Sequence, residues 1–259
     1  MDLLVTLLVC LFAGIGAGLG TGFAGMSAAA VITPMLVTFL DMDPYMAVGI
    51  ALASDVLASA VSAYTYGKNK NLDIRGGLVM MAAVLVFTVV GSYISSLVPP
   101  VTMGNFSVIM TLFLGVKFIV RPVMTTRETA NTGSAGARVV KSIVCGAVVG
   151  FICGFVGAGG GMMMLLLLTS VLRYDLKTAV GTSVFIMTFT ALTGSLSHFA
   201  IGGAPQWYPF VLCVLFTFLF ARIAAKIANK AQPKTLNRAT GVILVILGIV
   251  VLGFSLATK

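Results

Sequence analysis

The sequence predicts an all-α, polytopic integral membrane protein, and three observations carry that reading: a shortage of charge, a succession of apolar runs, and a gapless internal repeat. Of 259 residues, 59% are hydrophobic and 9% charged, with a mean hydropathy of +1.11, whereas a soluble domain carries roughly a quarter charged residues. The 16 Lys and Arg and 7 Asp and Glu cannot cover the surface of a soluble domain this large. A spanning helix takes about 20 apolar residues, so the length admits at most about ten hydrophobic segments and no extramembrane catalytic head.

Ten segments can be read between polar interruptions. They run from about Leu3 to Gly20, Phe23 to Leu40, Met46 to Tyr66, Leu78 to Val98 and Phe106 to Val120, and then from Val139 to Cys153, Met162 to Leu172, Thr178 to Ala200, Tyr208 to Ala228 and Ala239 to Ala257. No Lys or Arg precedes the first run, so it reads as mature protein rather than a secretory signal. Cys10, Cys145, Cys153 and Cys213 all lie in apolar runs, where cysteine serves as a small hydrophobe and no disulfide framework is indicated.

Five segments plus five are related by a repeat. Sliding the chain along itself until Gly14 meets Gly146 aligns Gly14–Gly49 with Gly146–Gly181 without a gap, and 11 of 36 columns are identical, including Gly22/Gly154, Gly25/Gly157, Asp43/Asp175 and Ala47-Val48-Gly49 on Ala179-Val180-Gly181. The expected organisation is a first transmembrane repeat at 1–121, a linker at 122–138 and a second repeat at 139–259.

Charge sets the expected topology. The net charge of +9 would point to nucleic acid in a soluble protein, but 14 of the 16 Lys and Arg fall in loops that alternate with neutral ones, so no nucleic-acid partner is expected. Basic loops hold Lys68, Lys70 and Arg75, then Arg121, Arg127, Arg138 and Lys141, then Arg173 and Lys177, and then Arg222, Lys226, Lys230, Lys234 and Arg238. Matching loops of the two halves carry opposite signatures, most plainly at Asp41/Arg173. The positive-inside rule then inverts one half relative to the other, with the central linker cytoplasmic, both termini outside and the chain in the cell membrane.

In that topology the first two segments of each half must enter and leave on the same side, either as two short crossings or as a re-entrant hairpin. Both pairs are interrupted by glycine, at Gly20-Thr21-Gly22-Phe23-Ala24-Gly25 and at Gly154-Phe155-Val156-Gly157-Ala158-Gly159-Gly160-Gly161. Paired breaks in an inverted repeat point to a transport site, because irregular backbone at membrane depth is tolerated only where protein or a water-filled cavity satisfies it. Exposed helix N-termini at a break can hold an anion without a fixed cation. The alternative for each glycine is close helix packing. Gly20 to Gly25 also fits G-x-G-x-x-G with Asp41 and Asp43 beyond it, but a dinucleotide site needs a strand, a helix and a soluble crevice, which an apolar segment followed by a membrane-surface loop does not provide.

Gly157-Ala158-Gly159-Gly160-Gly161, Ala179-Val180-Gly181-Thr182-Ser183, His198, Gly202-Gly203 and Trp207, in this order and spacing, resemble the TauE/SafE family of sulfite exporters and related anion permeases. The resemblance covers nearly the whole chain. The first half departs from the pattern, with Gly25-Met26-Ser27-Ala28-Ala29-Ala30 in place of a glycine run and Ile50-Ala51-Leu52-Ala53-Ser54-Asp55 in place of the Gly-Thr-Ser step. The resemblance implies movement of small sulfur-containing or organic anions driven by a proton or ion gradient.

The candidate substrate-binding residues are Gly22, Gly25, Ser27, Gly157, Gly159, Gly160, Gly161, Thr182 and Ser183; Asp55 and His198 are candidates for coupling or gating. Asp55 stands alone as an acid inside an apolar run, where an ionisable group is a functional candidate by default. Burial disfavours the charged carboxyl, so it could carry a coupling proton; the other reading is a structural carboxyl bonded to Ser54 or Ser59. His198 sits near the outer end of its segment and could titrate or simply hydrogen-bond. Thr182 and Ser183 could donate to substrate or bond their own helical turn. Met162-Met163-Met164 with Cys153 reads as core filling, and no metal, no cofactor and no enzymatic constellation is expected. The expected partners are a small anion and the lipid bilayer, with a homo-oligomer left open. The competing readings are a secondary anion transporter, a passive anion channel and a non-transporting membrane scaffold.

Overall fold

A computed structural model describes residues 3–95, 135–156 and 160–232, with isolated positions at 112–120 and 234–253. Among the described residues every regular element is helical: α1 Leu3–Ala24, α2 Ala29–Leu40, α3 Pro44–Lys68, α4 Ile74–Ser95, α5 Ala135–Val156, α6 Gly160–Ser170, α7 Leu176–Gly202 and α8 Trp207–Lys230. These follow eight of the ten expected segments; the other two are described only at isolated positions, which are helical. Ala135 to Arg138, read from sequence as linker, begin α5 instead.

Five helices are long and apolar enough to cross a membrane, at Leu3–Ala24, Pro44–Lys68, Ile74–Gly91, Leu176–Gly202 and Trp207–Lys230. At 1.5 Å per residue the 22 residues of α1 reach about 33 Å, enough for a hydrocarbon core of about 30 Å. The 12 residues of α2 and 11 of α6 reach only about half that depth. Each pair is thus a longer helix followed by a half-length one.

The same local devices recur at matching places of the two halves. Asp41 and Arg173 both take left-handed backbone, at φ 48° and 55°, just past the ends of α2 and α6. Two positions on, Asp43 caps α3 by accepting from the Met46 amide at 3.0 Å, and Asp175 caps α7 by accepting from the Thr178 amide at 3.2 Å. A side-chain oxygen at this position satisfies an amide that the helix cannot, which accounts for the repeated aspartate.

Packing between helices recurs too. α1 runs parallel to α8, with Gly14 against Phe216 and Thr217, Gly18 against Phe220 and Ala221, and Gly22 against Ala224. α5 runs parallel to α4 with Gly146 against Met80 and Gly150 against Val84. A methyl at any of these five glycines would collide with the facing helix, so they let backbones approach closely, as small residues do in membrane bundles. α3 and α7 cross antiparallel at the centre, with Gly49 on His198 and Phe199 at one end and Gly181 on Tyr66 at the other. Large apolar side chains such as Leu4, Phe12, Val86, Leu196 and Val211 point outward, while Ala, Gly, Ser and Thr fill much of the interior. That arrangement suits a lipid-facing surface, and the chain is a multi-pass membrane protein.

The two ends of the bundle differ. At one end Asn71 donates to Asn229 at 2.8 Å, Lys177 donates to the Asn229 carbonyl at 2.8 Å and Tyr174 donates to Asp73 at 2.6 Å, which ties the loop after α3 to α8 and to the turn before α7, and α7 to α8. Lys68, Lys70, Arg173, Lys177 and Lys230 gather there. At the other end a cavity of 260 Å³ is lined by Leu3, Thr6, Leu40, Gln206, Trp207, Tyr208 and Pro209. The start of α1 and the end of α2 thus lie at the same end of the bundle.

Candidate functional site

α1 continues as helix through Gly20, Thr21 and Gly22 and unwinds only after Ala24, so the first break is the short stretch 25–28. Gly20 is held in the helix against the Met26 side chain and Gly22 against α8. Gly25 makes the turn at φ +62°, a conformation that glycine adopts without the Cβ clash other residues suffer. The turn is closed by the Gly25 amide on the Thr21 carbonyl at 2.9 Å and by the Thr21 hydroxyl donating to the Met26 carbonyl at 2.9 Å. Ser27 then starts α2, its hydroxyl accepting from the Ala29 amide at 3.3 Å.

The start of α6 meets the first break. A Cβ at Gly161 would lie 2.5 Å from the Gly25 carbonyl oxygen and 2.8 Å from the Ser27 amide nitrogen, so these backbones touch with nothing between them. Gly25 in turn faces the Ser183 hydroxyl, which bonds the Val180 carbonyl at 2.9 Å. Gly160 rests on Cys153. Gly157 and Gly159 lie outside the described residues. The half-length helices α2 and α6 therefore begin side by side in the interior; the first amides of α2 are paired locally, Ala29 with the Ser27 hydroxyl, Ala30 with the Ser27 carbonyl, and Val31 and Ile32 with the Ala28 carbonyl.

Beside this junction lies Asp55, 0% exposed, at the middle of α3. Its Oδ1 accepts from Ser59 at 2.9 Å, while Ser54 turns away to the Ile50 carbonyl at 2.8 Å. Ser27, the Ala28 amide and Thr21 also face the carboxyl group, yet Oδ2 closes no hydrogen bond. Cys153 of α5 approaches it from the other half.

Other candidates sit apart. Thr182 lies towards the basic end, where its hydroxyl accepts from the Asp73 amide at 3.1 Å. His198 lies near the opposite end, its ring 4.2 Å from that of Tyr45 and its Nδ1 without a partner. Two residues of the junction were not singled out from sequence. Thr21 hides inside a glycine run, and Tyr66, 0% exposed, ends an apolar segment but donates to the Gly22 carbonyl at 3.0 Å. The signal available for Tyr66 was its place in the repeat, opposite His198.

A family model described as Sulfite exporter TauE/SafE matches residues 10–251. The chain is 28% identical over 246 residues to the "Probable membrane transporter protein YunE" of Bacillus subtilis (strain 168), covering 86% of this chain and 89% of that protein. It is 22% identical over 246 residues to a "Probable membrane transporter protein" of Methanocaldococcus jannaschii, covering 88% of each. To the "Probable membrane transporter protein YdhB" of Bacillus subtilis (strain 168) it is 20% identical over 218 residues, covering 84% of this chain and 88% of that one. No solved structure matches.

Proposed function

The chain belongs to the sulfite exporter TauE/SafE family and is a membrane transporter, and from that premise we propose that it moves a small sulfur-containing or organic anion by alternating access, coupled to a proton gradient. The observation that carries this reading is the meeting of the first break with the start of α6, Gly25 to Ser27 against Gly161. Two helix N-termini starting at one buried point bring their positive dipole ends together, which favours an anion where lysine and arginine would be too costly. An anion there would be repelled by an ionised Asp55. Protonation of Asp55 removes the repulsion, so proton and anion bind together.

The two halves would insert in opposite directions, a reading supported by the antiparallel α3 and α7 and by the matched pairing of α1 with α8 and α5 with α4. The hydrogen-bonded basic end would be cytoplasmic, supported by its lysines and arginines, and the end with the cavity would face out. The Asn71, Asn229, Lys177, Tyr174 and Asp73 contacts would then form the inner closure, which must part for inward opening.

The test is flux of sulfite, sulfate, thiosulfate and sulfoacetate by the purified protein in liposomes, with and without an imposed proton gradient. Saturable, gradient-sensitive flux of one anion is expected. Unsaturable flux indifferent to the gradient would replace the transporter by a channel, and no flux of any of them would remove sulfur oxyanions as substrates.

A further inference from the structure

Cys10 of α1 and Cys213 of α8 are both buried, and both lie away from the junction of α6 with the first break. Three glycines of α1 fix the register between the two helices at intervals of one turn: Gly14 meets Phe216 and Thr217, Gly18 meets Phe220 and Ala221, and Gly22 meets Ala224 and Ala225. The helices run parallel, so one turn back from Gly14 brings Cys10 opposite Leu212 and Cys213. The place of Cys10 Sγ agrees with that register, because it donates to the carbonyl oxygen of Pro209, four residues before Cys213, at 3.9 Å. A helical side chain leans back over the turn on its N-terminal side, which carries the Cys213 thiol towards the same carbonyl. The two thiols therefore face each other across the seam.

The seam is narrow enough for a bridge and has an entrance. A disulfide needs Cα atoms about 4.4–6.8 Å apart, and one turn from the cysteines a methyl at Gly14 would already collide with Phe216. The cavity of 260 Å³ at this end of the bundle is lined by Thr6, one turn before Cys10, and by Pro209, one turn before Cys213. Its walls also include Leu3, Leu40 and Trp207, which suits a small uncharged molecule better than an ion.

We propose that Cys10 and Cys213 form a redox-active dithiol, reached through this cavity, that takes a small uncharged disulfide as oxidant and closes into a disulfide bracing α1 on α8. One cysteine, as thiolate, attacks a sulfur of the oxidant R–S–S–R and expels R–S⁻, leaving a mixed disulfide. The other cysteine attacks the protein sulfur of that mixed disulfide and expels the second R–S⁻. The two cysteine protons end on the two R–SH released, so the protein is oxidised by two electrons and the small disulfide reduced by two. With the cavity end facing out, as in the orientation above, the pair lies on the side of the membrane where disulfides persist. The repeat places Ser142 where Cys10 stands, so the matching seam of α5 with α4 cannot form the same bridge. The proposal stands on the α1–α8 seam and does not require that an anion be transported.

The test treats the purified protein in detergent with 2-hydroxyethyl disulfide, then denatures, alkylates and digests it. Two equivalents of 2-mercaptoethanol should be released, a peptide linking Cys10 to Cys213 should appear, and alkylation should reach only Cys145 and Cys153. Dithiothreitol should return all four thiols. Cys10→Ala and Cys213→Ala should each release at most one equivalent and give no linked peptide. The oxidised protein should unfold at a higher temperature than the reduced one, a difference lost in either variant, because the bond constrains the unfolded chain. Four thiols still free after treatment, a mixed disulfide that stops on one cysteine of the pair, or a link between other cysteines would overturn the dithiol; an unchanged unfolding temperature would overturn the brace. The peptide mapping uses the unmodified protein, so it decides even if an alanine variant does not fold.

Discussion

Tyr66 and His198 stand in equivalent places of the two halves, and each packs on a repeated glycine, Tyr66 on Gly181 and His198 on Gly49. Tyr66 reaches the first break and donates to the Gly22 carbonyl. His198 instead lies against Tyr45 with Nδ1 unpartnered. The same divergence runs through the junction, where Thr21, Asp55 and Ser59 of one half correspond to Cys153, Met187 and Ala191 of the other, all of them buried. What the halves share is backbone: left-handed turns at Asp41 and Arg173, aspartate caps at Asp43 and Asp175, and glycines where helices touch. What separates them is the buried polar chemistry. A duplicated scaffold can thus keep its backbone while placing a buried carboxyl group in one half and a methionine at the matching place of the other.

The sharpest way to break the comparison is Gly161→Ala. Its methyl would meet the Gly25 carbonyl and Ser27 amide, which are backbone and cannot swing aside, so anion flux in liposomes should fall to background. Gly136→Ala, with nothing within 4 Å of its Cβ, should leave flux unchanged. Next comes Asp55→Asn, expected to remove the response of flux to a proton gradient, whereas Met187→Leu at the matching place conserves volume and should keep that response while costing less than about 1.5 kcal/mol in stability. Equal responses in the two variants would dissolve the distinction between halves.

Tyr66→Phe should destabilise by about 1–3 kcal/mol, because the Gly22 carbonyl is left buried without its donor; His198→Phe, at a ring whose Nδ1 is already unpaired, should cost less by the same thermal unfolding assay in detergent. The smallest effects should be the most symmetric. Asp43→Ala and Asp175→Ala each remove an N-cap and should each lower stability by about 1 kcal/mol, with flux retained. A much larger loss in one of them would mean that its aspartate does more than cap.

Much of this was legible along the chain. Apolar runs located eight helices to within several residues because a spanning helix must be apolar over nearly its full length, and the repeat paired Asp43 with Asp175, whose shared role as caps came from the structure. The breaks were legible only coarsely. Gly20 and Gly22 carry the same signature as Gly25, yet they remain helical because α8 and Met26 lie against them, and only Gly25 takes the turn. Nothing in the order of residues distinguishes a glycine that admits a neighbouring helix from one that reverses the chain.

Sequence alone thus determined that the chain crosses a membrane repeatedly, that it is built twice from one pattern and roughly which stretches are helical, since hydrophobicity and register are local or periodic properties. Tertiary structure decided that Gly25 and Ser27 touch Gly161, that Asp55 lies beside Ser27 and the Ala28 amide of the first break, and that Thr182 and His198 lie towards opposite ends. Those outcomes depend on distances between segments remote from one another along the chain, which only the packing of helix on helix sets.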